Sequence, residues 1–418
     1  MDQVSARKGY SMQNSPALLL RPMSQDRRLL KDAKEVFRGF HVSANLSGSL
    51  TAFVRESGKP TVVDPQTYLF TLRPERLFDR KTNRVKGSIA TMAGHYGPPF
   101  RDAVGARSLT PMDFANAAAA RTCVENVLSY QRAKFSGQMG LAFDATFDKY
   151  NLWGREEASA APPQVLLPPY FYIRGSSDPW LTTNLALARH ALEARRKGEM
   201  IYPVLLFSTK ILSDPAAIDA IARAYLAEAF DGILLWPNDF VEEKQPRDQL
   251  QGLVRMLSVF ADAGRRVTKL YGGYLSALLV SRGLRGFSCG LGYGASKNAF
   301  AVGGGGGKPV PRFYIPRLHC SVRFDEAEQI LRMNSSLRCR CPVCAHLYGA
   351  QMDRFTRMQE GGGSELHFLH ARQAELQEIG RTGSAELSRE LKATSSEFER
   401  SASVRASFLR DWSSLLAA

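Results

Sequence analysis

The chain has 418 residues, a formal net charge of +15, 44% hydrophobic and 23% charged residues. It is long enough for one large α/β domain with an appendage, or for two medium domains. No run of 18 apolar residues occurs, which excludes a membrane-spanning helix, and MDQVSARKGYSMQNSP at the start lacks the apolar stretch of a secretory signal. Six cysteines, three of them grouped within six positions, suit a reducing cytoplasm better than a disulfide scaffold. The basic excess favours a polyanionic partner, because each neutralised phosphate releases counterions.

Residues 1–36 read as a polar, basic N-terminal extension. The first buried strand is expected over Gly39–Asn45, with a helix-like stretch from Gly48 to Ser57 behind it. Pro60-Thr61-Val62-Val63-Asp64-Pro65 is a short apolar run stopped by proline, so Asp64 stands where a strand emerges. The basic, turn-rich stretch from Thr71 to Gly105 suits a surface loop, and a helix is predicted from Thr110 to Phe135 with Pro111 just inside its start. A linker spans Gly154 to Pro163.

Strands are then predicted at Gln164–Phe171, Ile201–Ser208, Gly232–Trp236, Val267–Tyr271, Gly286–Cys289 and Val310–Leu318. Helices fall between most of them, opened at Asp178-Pro179 and Asp214-Pro215. Counted from Phe40 this makes about eight units. Short apolar strands alternating with helices argue for a parallel sheet. Eight such units predict an α/β fold of the TIM (β/α)8 type over residues 37–333, with insertions. An open doubly wound sheet is the rival, but no G-x-G-x-x-G opens a helix after the first strand. Two low-complexity runs, Gly303–Gly307 and Gly361–Gly363, interrupt the later part of the chain, and the first reads as a mobile loop.

In such a barrel the chemistry sits at the C-terminal ends of the strands. That rule selects Asp64, Tyr170 and Phe171, Asp239, Tyr271-Gly272-Gly273, and the turn Ser288-Cys289-Gly290-Leu291-Gly292-Tyr293. His41 and His95 are read as ordinary hydrogen-bonded histidines. Residues 334–418 form a separate C-terminal subdomain. It opens with Cys339-Arg340-Cys341-Pro342-Val343-Cys344, whose C-x-C-x2-C spacing brings three thiols to one side of a turn. A tetrahedral zinc ion then needs a fourth ligand. The segment Ser364–Glu378 reads as a helix and offers His370, the preferred ligand, and His367; His346 is a further rival.

Three thiols in this spacing, followed by His370 26 positions after Cys344, resemble the structural zinc site of the tRNA-guanine transglycosylase superfamily. The resemblance implies a TIM barrel that exchanges guanine in nucleic acid for a 7-deazaguanine base, with Zn2+ in a purely structural role. Such exchange at C1′ passes through an oxocarbenium-like sugar, for which carboxylates are suited. Asp64, in Asp64-Pro65-Gln66-Thr67-Tyr68, stands where the superfamily has an aspartate in an Asp-Ser-Gly-Gly-Phe-Gln loop, without its glycines. Phe287-Ser288-Cys289 stands where the superfamily has Phe-Asp-Cys, so Ser288 replaces the nucleophilic aspartate. Asp64 and Asp239 are therefore the expected catalytic carboxylates, and Tyr170, Phe171, Tyr271, Gly272, Gly273, Ser288, Gly290 and Tyr293 the expected base-binding residues. The divergence points to the branch that modifies DNA, with tRNA the commoner substrate of the superfamily. Basic loops such as Arg73–Lys86 would grip phosphates. The alternative reading is a non-catalytic, nucleic-acid-binding partner subunit, or a homodimer, lacking the lost aspartate's function.

Overall fold

The computed structural model describes residues 17–22, 29–30, 36–46, 48–135, 165–291, 294–301, 310–399 and 406–417. Eleven strands are found among them: β1 (Ala17–Leu20), β2 (Gly39–Ser43), β3 (Thr61–Asp64), β4 (Val165–Leu166), β5 (Met200–Ile201), β6 (Val204–Phe207), β7 (Gly232–Pro237), β8 (Arg266–Lys269), β9 (Leu284–Cys289), β10 (Arg312–Ile315) and β11 (Cys320–Arg323). Seven of them build one curled, all-parallel sheet in the order β3–β2–β1–β9–β8–β7–β6. Every residue of β6 and β7 is buried. Strands covered on both faces are what a parallel sheet wrapped by helices requires.

One unexpected strand enters the parallel sheet and one expected strand leaves it. The segment expected to be a basic extension supplies β1, which pairs with β2 through Leu19↔Gly39 and with β9 through Leu19↔Ser288. Conversely, the strand expected as the last barrel unit pairs antiparallel with β11, Phe313 facing Val322, and lies outside the parallel sheet. A four-residue apolar run with a proline on each side carries little periodic signal, so β1 was invisible beside the longer run at 310–318.

The predicted strand Ile201–Ser208 is divided at Pro203, which has no N–H for the ladder. Its first half, β5, pairs with β4, and its second half, β6, pairs with β7. Between β3 and β4 no ladder forms among the described residues. Side chains bridge that seam instead: Tyr170 N–H donates to Thr67 Oγ1 at 2.8 Å, and Thr67 Oγ1 donates back to the Tyr170 carbonyl at 2.8 Å.

The helices start as their sequences dictate. Asp214 accepts from Ala216 N and Ala217 N ahead of Pro215–Leu226, and Asp178 accepts from Trp180 N ahead of Pro179–Glu193. The stretch expected to be one helix from Thr110 is two elements, a 3-10 turn over Pro111–Phe114 and a helix over Ala117–Phe135. Asn116 separates them by accepting from Ala119 N at 3.0 Å. Helix Arg247–Asp262 buries Leu250, Leu253, Met256, Leu257 and Phe260 at helical spacing. Its Gly252 cannot be replaced without disruption, because a Cβ there would stand 1.8 Å from the Leu212 carbonyl oxygen.

After the sheet come the β10–β11 hairpin and the helices Phe324–Met333, Pro342–Leu347 and Gly363–Ile379. Helices Ser384–Phe398 and Ser407–Ala417 then pack on each other, joined by Ser388 and Ser413. Arg282 fastens the last helix to the sheet by donating to the Leu415 and Leu416 carbonyls, both at 2.9 Å. The tail therefore docks within the chain. No helix among the described residues is long and apolar enough to cross a membrane.

Leu20 is fully buried in β1. Leu20→Ala is expected to cost about 2–5 kcal/mol in urea unfolding, whereas Met112→Ala, at a 78% exposed position, stays within about 0.5 kcal/mol.

Candidate active site and metal centre

Asp64 ends β3, and the pairing Ser43↔Asp64 puts it on the face of the sheet that His41, two residues before Ser43, also shares. Its carboxylate is completely buried. Oδ1 accepts from Gln66 N at 2.9 Å and from the Tyr170 hydroxyl at 2.5 Å. Oδ2 faces His41 Nε2 at 3.8 Å, beyond hydrogen-bonding reach, and both atoms are buried without a hydrogen-bond partner. Gln66 Oε1 and Arg21 Nε are buried and unpartnered as well. Four orphaned polar atoms from three strand ends are costly to leave bare and suit a polar ligand.

Burial pushes the Asp64 carboxyl up, but nearby His41, the Lys297 ammonium and the Tyr170 hydroxyl outweigh it and hold it below the usual value. Burial is also the main force on His41, and with Arg21 and Lys297 it brings the imidazole down to about 4 despite Asp64. At neutral pH the pair is therefore an anion beside a neutral imidazole. His41 Nδ1 lies 3.0 Å from Ser288 Oγ, and that oxygen also accepts from Tyr271 N at 3.1 Å. A neutral imidazole carries one proton; on Nε2 it faces the Asp64 anion, and Nδ1 is then the acceptor of the Ser288 hydroxyl.

The order Ser288–His41–Asp64 is that of a hydrolase triad, yet its free end is the opposite one. Ser288 Oγ is buried and occupied by His41 and Tyr271; the unsatisfied atoms belong to Asp64 and His41. Ser288 Oγ thus ties the His41 ring to the backbone of Tyr271. His41, expected to be an ordinary histidine, joins the centre. The only signal was its period-2 relation to Ser43, and its partner Ser288 is 247 positions away.

Tyr170 serves Asp64 through its hydroxyl. Tyr68, Tyr170, Trp236 and Tyr271 pack edge-on or tilted, with centroids 4.7–6.4 Å apart, as a buried floor. Phe171 is a core residue: fully buried, it packs on Trp180 at 4.2 Å and is away from the carboxylate. Its expected contact with a base is therefore replaced by a packing role. Asp239 does not join Asp64 in any contact among the described residues. It is exposed at φ 56°, accepts from Asn298 Nδ2 at 3.3 Å, and donates its N–H to the Lys297 carbonyl at 3.0 Å. The buried acid after β7 is Glu242, paired with Lys269 at 3.0 Å and also accepting from Gly273 N. Burial raises the Glu242 carboxyl, but Lys269 and the donors around it prevail and keep it ionised.

Gly272, Gly273 and Gly290 line a different space, a cavity of about 340 Å3. It opens between the sheet's rim and the C-terminal subdomain, with Glu243, Arg312, His319 and Arg372 on its walls. Tyr293 lies outside the described residues, as do Gly292, the Gly303–Gly307 run and the linker at 154–163.

Cys339, Cys341, Cys344 and His367 form a cluster that could hold a metal ion, their ligand atoms all within 4.8 Å of one another. A tetrahedron with metal–sulfur bonds of about 2.3 Å has edges of about 3.8 Å, so the atoms would draw together slightly around an ion. The fourth ligand is His367, which corrects the expectation of His370. His367 Nδ1 stands 3.2 Å from Cys344 Sγ and 3.5 Å from Cys341 Sγ. Its Nε2–H donates to the Tyr314 carbonyl at 2.7 Å, and its ring stacks on Phe313 at 4.4 Å. This outer bond fixes the ring so that Nδ1 faces the thiols. His370, nearly one turn later, is exposed on the wall of a neighbouring cavity of about 510 Å3. His346 is likewise exposed and outside the cluster. The fourth ligand thus follows Cys344 by 23 positions, three short of the spacing that carried the resemblance.

No protein-family model matches the chain, and no curated protein matches its sequence.

Two outcomes follow. Purified protein and His370→Ala are expected to hold one equivalent of metal by plasma mass spectrometry, and His367→Ala to lose it; retention by His367→Ala with loss in His370→Ala would reverse the assignment. His41, ordinarily near 6.5 and about 4 when folded, binds its proton more readily unfolded. Stability is then complete above pH 6.5 and falls as pH drops towards 4, by on the order of 3 kcal/mol. Urea unfolding of His41→Gln should show a flatter acid limb.

Proposed function

We propose that the chain is a base-exchange enzyme, a pentosyltransferase that replaces guanine in DNA or tRNA by a 7-deazaguanine. The proposal includes closure of the curled sheet into a (β/α)8 barrel, with β4 joining β3 across the Thr67–Tyr170 seam, and Zn2+ as the ion held by Cys339, Cys341, Cys344 and His367. A closed set of three thiolates and an imidazole leaves no position for water and suits zinc as a structural ion.

One observation carries the reading: a fully buried, ionised Asp64 with a free oxygen beside three further unpartnered polar atoms at the strand ends. A buried anion with an unused lone pair is what an oxocarbenium-like C1′ requires. Asp64 Oδ2 faces the sugar carbon, while Tyr170 and Gln66 hold Oδ1 so that the carboxylate cannot turn. His41 Nε2–H and Gln66 Oε1 are left to hydrogen-bond the sugar or the base. Ser288 cannot replace the missing aspartate, since its oxygen is engaged; Asp64 alone serves as the carboxylate, and Asp239 has no part in it. The cavity lined by Gly272, Gly273 and Gly290 then receives a neighbouring nucleotide. The exposed basic residues between Arg73 and Lys86, together with the +15 net charge, provide the phosphate contacts.

Incubation with radiolabelled 7-deazaguanine and either duplex DNA or tRNA tests this directly. Label is expected in one nucleic acid, with kcat reduced at least about 100-fold in Asp64→Asn and metal content unchanged. Full activity in Asp64→Asn would remove the carboxylate from the mechanism. No label in either, with nucleic acid still bound, would identify a non-catalytic binding subunit.

A further inference from the structure

Lys297 lies eight positions beyond the end of β9, in a segment held against the end of β7 and the turn after it by hydrogen bonds that include Asn298 Nδ2 to Asp239 Oδ2 at 3.3 Å. Trp236 Nε1 and Asp239 N donate to the Lys297 carbonyl at 3.2 and 3.0 Å, and Ala299 N donates to Asn238 Oδ1 at 2.7 Å. Its side chain turns onto the aromatic floor. Nζ stands 5.0 Å from the centre of the Trp236 ring, 5.2 Å from Tyr271 and 5.5 Å from Tyr68, and donates to the Tyr271 hydroxyl at 3.1 Å. Three ring faces are a common way to hold a cation. Here the cation is the protein's own, and the Lys297 residue keeps part of its surface exposed.

The charged and titratable groups facing it are few. Arg21, just past the end of β1, lies over the Tyr271 ring at 4.4 Å; Asp64 stands at the end of β3 and His41 in the middle of β2; Tyr68 and Tyr271 present hydroxyls. Asp239 touches Lys297 only through the backbone. Burial and the Arg21 charge lower the ammonium to about 7 against the pull of Asp64.

Base exchange poses a proton problem that the rest of the centre does not solve. Guanine departs with the electron pair of the C1′–N bond and must gain a proton, and the incoming base must lose one. Asp64 is held as an anion and His41 as a neutral imidazole, so neither carries a proton to give at neutral pH. We infer that Lys297 is a catalytic residue that passes this proton between the departing and the incoming base. In the first half the C1′–N bond breaks, the pair stays on guanine, and Nζ transfers one proton to it while Asp64 balances the sugar cation. In the second half the nitrogen of the incoming 7-deazaguanine bonds to C1′ and its proton returns to Nζ. The amine ends as it began, and no other reactant is consumed. A group titrating near the working pH suits a step run in both directions. This inference rests on the base-exchange reading above.

The test uses the full-length protein, labelled 7-deazaguanine, and whichever of duplex DNA or tRNA accepts label. Single-turnover guanine release by the unsubstituted protein is expected to fall above an inflection near pH 7. Lys297→Met keeps the stem, and Lys297→Arg keeps the charge but cannot release a proton at these pH values. Both are expected to lower kcat about 100-fold or more, with KM for the nucleic acid changed less than about threefold. Small primary amines should partly restore Lys297→Ala, with a pH profile that follows the added amine. Wild-type kcat in Lys297→Arg, or no inflection near neutrality in the unsubstituted protein, would overturn the proton role and leave the exchange reading standing. Failure of the unsubstituted protein to label either nucleic acid would remove both.

Discussion

An ionised carboxylate without exposed surface has to be compensated, and much of the sheet domain is arranged around that demand at Asp64. Moving a charge out of water costs several kcal/mol unless donors and countercharges replace the solvent. Tyr170 and Gln66 supply donors to one oxygen, His41 and Lys297 supply the surroundings of the other. These groups come from β2, from the turn after β3, from the segment after β4 and from the segment after β9. The charge can be buried only when all four segments are in place. Tyr170 makes the coupling explicit, since its backbone closes the seam with Thr67 while its hydroxyl holds Asp64. A seam without a ladder and a buried charge are thus served by one residue.

The metal centre is tied to the same rim by a chain of polar contacts. His367 holds the Tyr314 carbonyl; the Tyr314 hydroxyl donates to Glu375 Oε1 at 2.6 Å; His319 meets that same oxygen at 2.8 Å and stacks on Tyr274 at 3.5 Å. Tyr274 opens the helix after Gly273, whose N–H is held by Glu242. A metal ion held by the cluster would therefore be linked to the wall of the 340 Å3 cavity through these side chains.

What was legible in the sequence was local. Three thiols within six positions announce a metal site by themselves, as Asp-Pro pairs announce helix starts, because ligands and caps are neighbours in the chain. The histidine was harder: His367 and His370 sit nearly a turn apart on one helix, and only the carbonyl of Tyr314 and the ring of Phe313 select between them. Asp64 was legible from the proline that stops its strand. His41 and Lys297 were not, because their meaning lies in contacts with residues more than 200 positions away, Ser288 for the first and Tyr68 for the second. The short β1 failed for a related reason: ALLL becomes a central strand only when Leu19 finds Gly39 and Ser288 beside it.

The division of roles at the centre follows from burial rather than from residue type. Aspartate and histidine are the groups that ordinarily exchange protons near neutrality, yet here each is fixed in one state, the first by its donors and the second by its desolvation. Lysine ordinarily stays charged, and here it is the group brought towards neutral pH, because Arg21 repels it and the aromatic floor removes its water. A neutral serine at position 288 is consistent with that arrangement. A second buried carboxylate beside Asp64 would raise both acids through like-charge repulsion and draw the Lys297 ammonium back towards its ordinary value. With Ser288 neutral and spent on His41, Asp64 remains the single anion, and the electrostatic balance that frees the lysine is preserved.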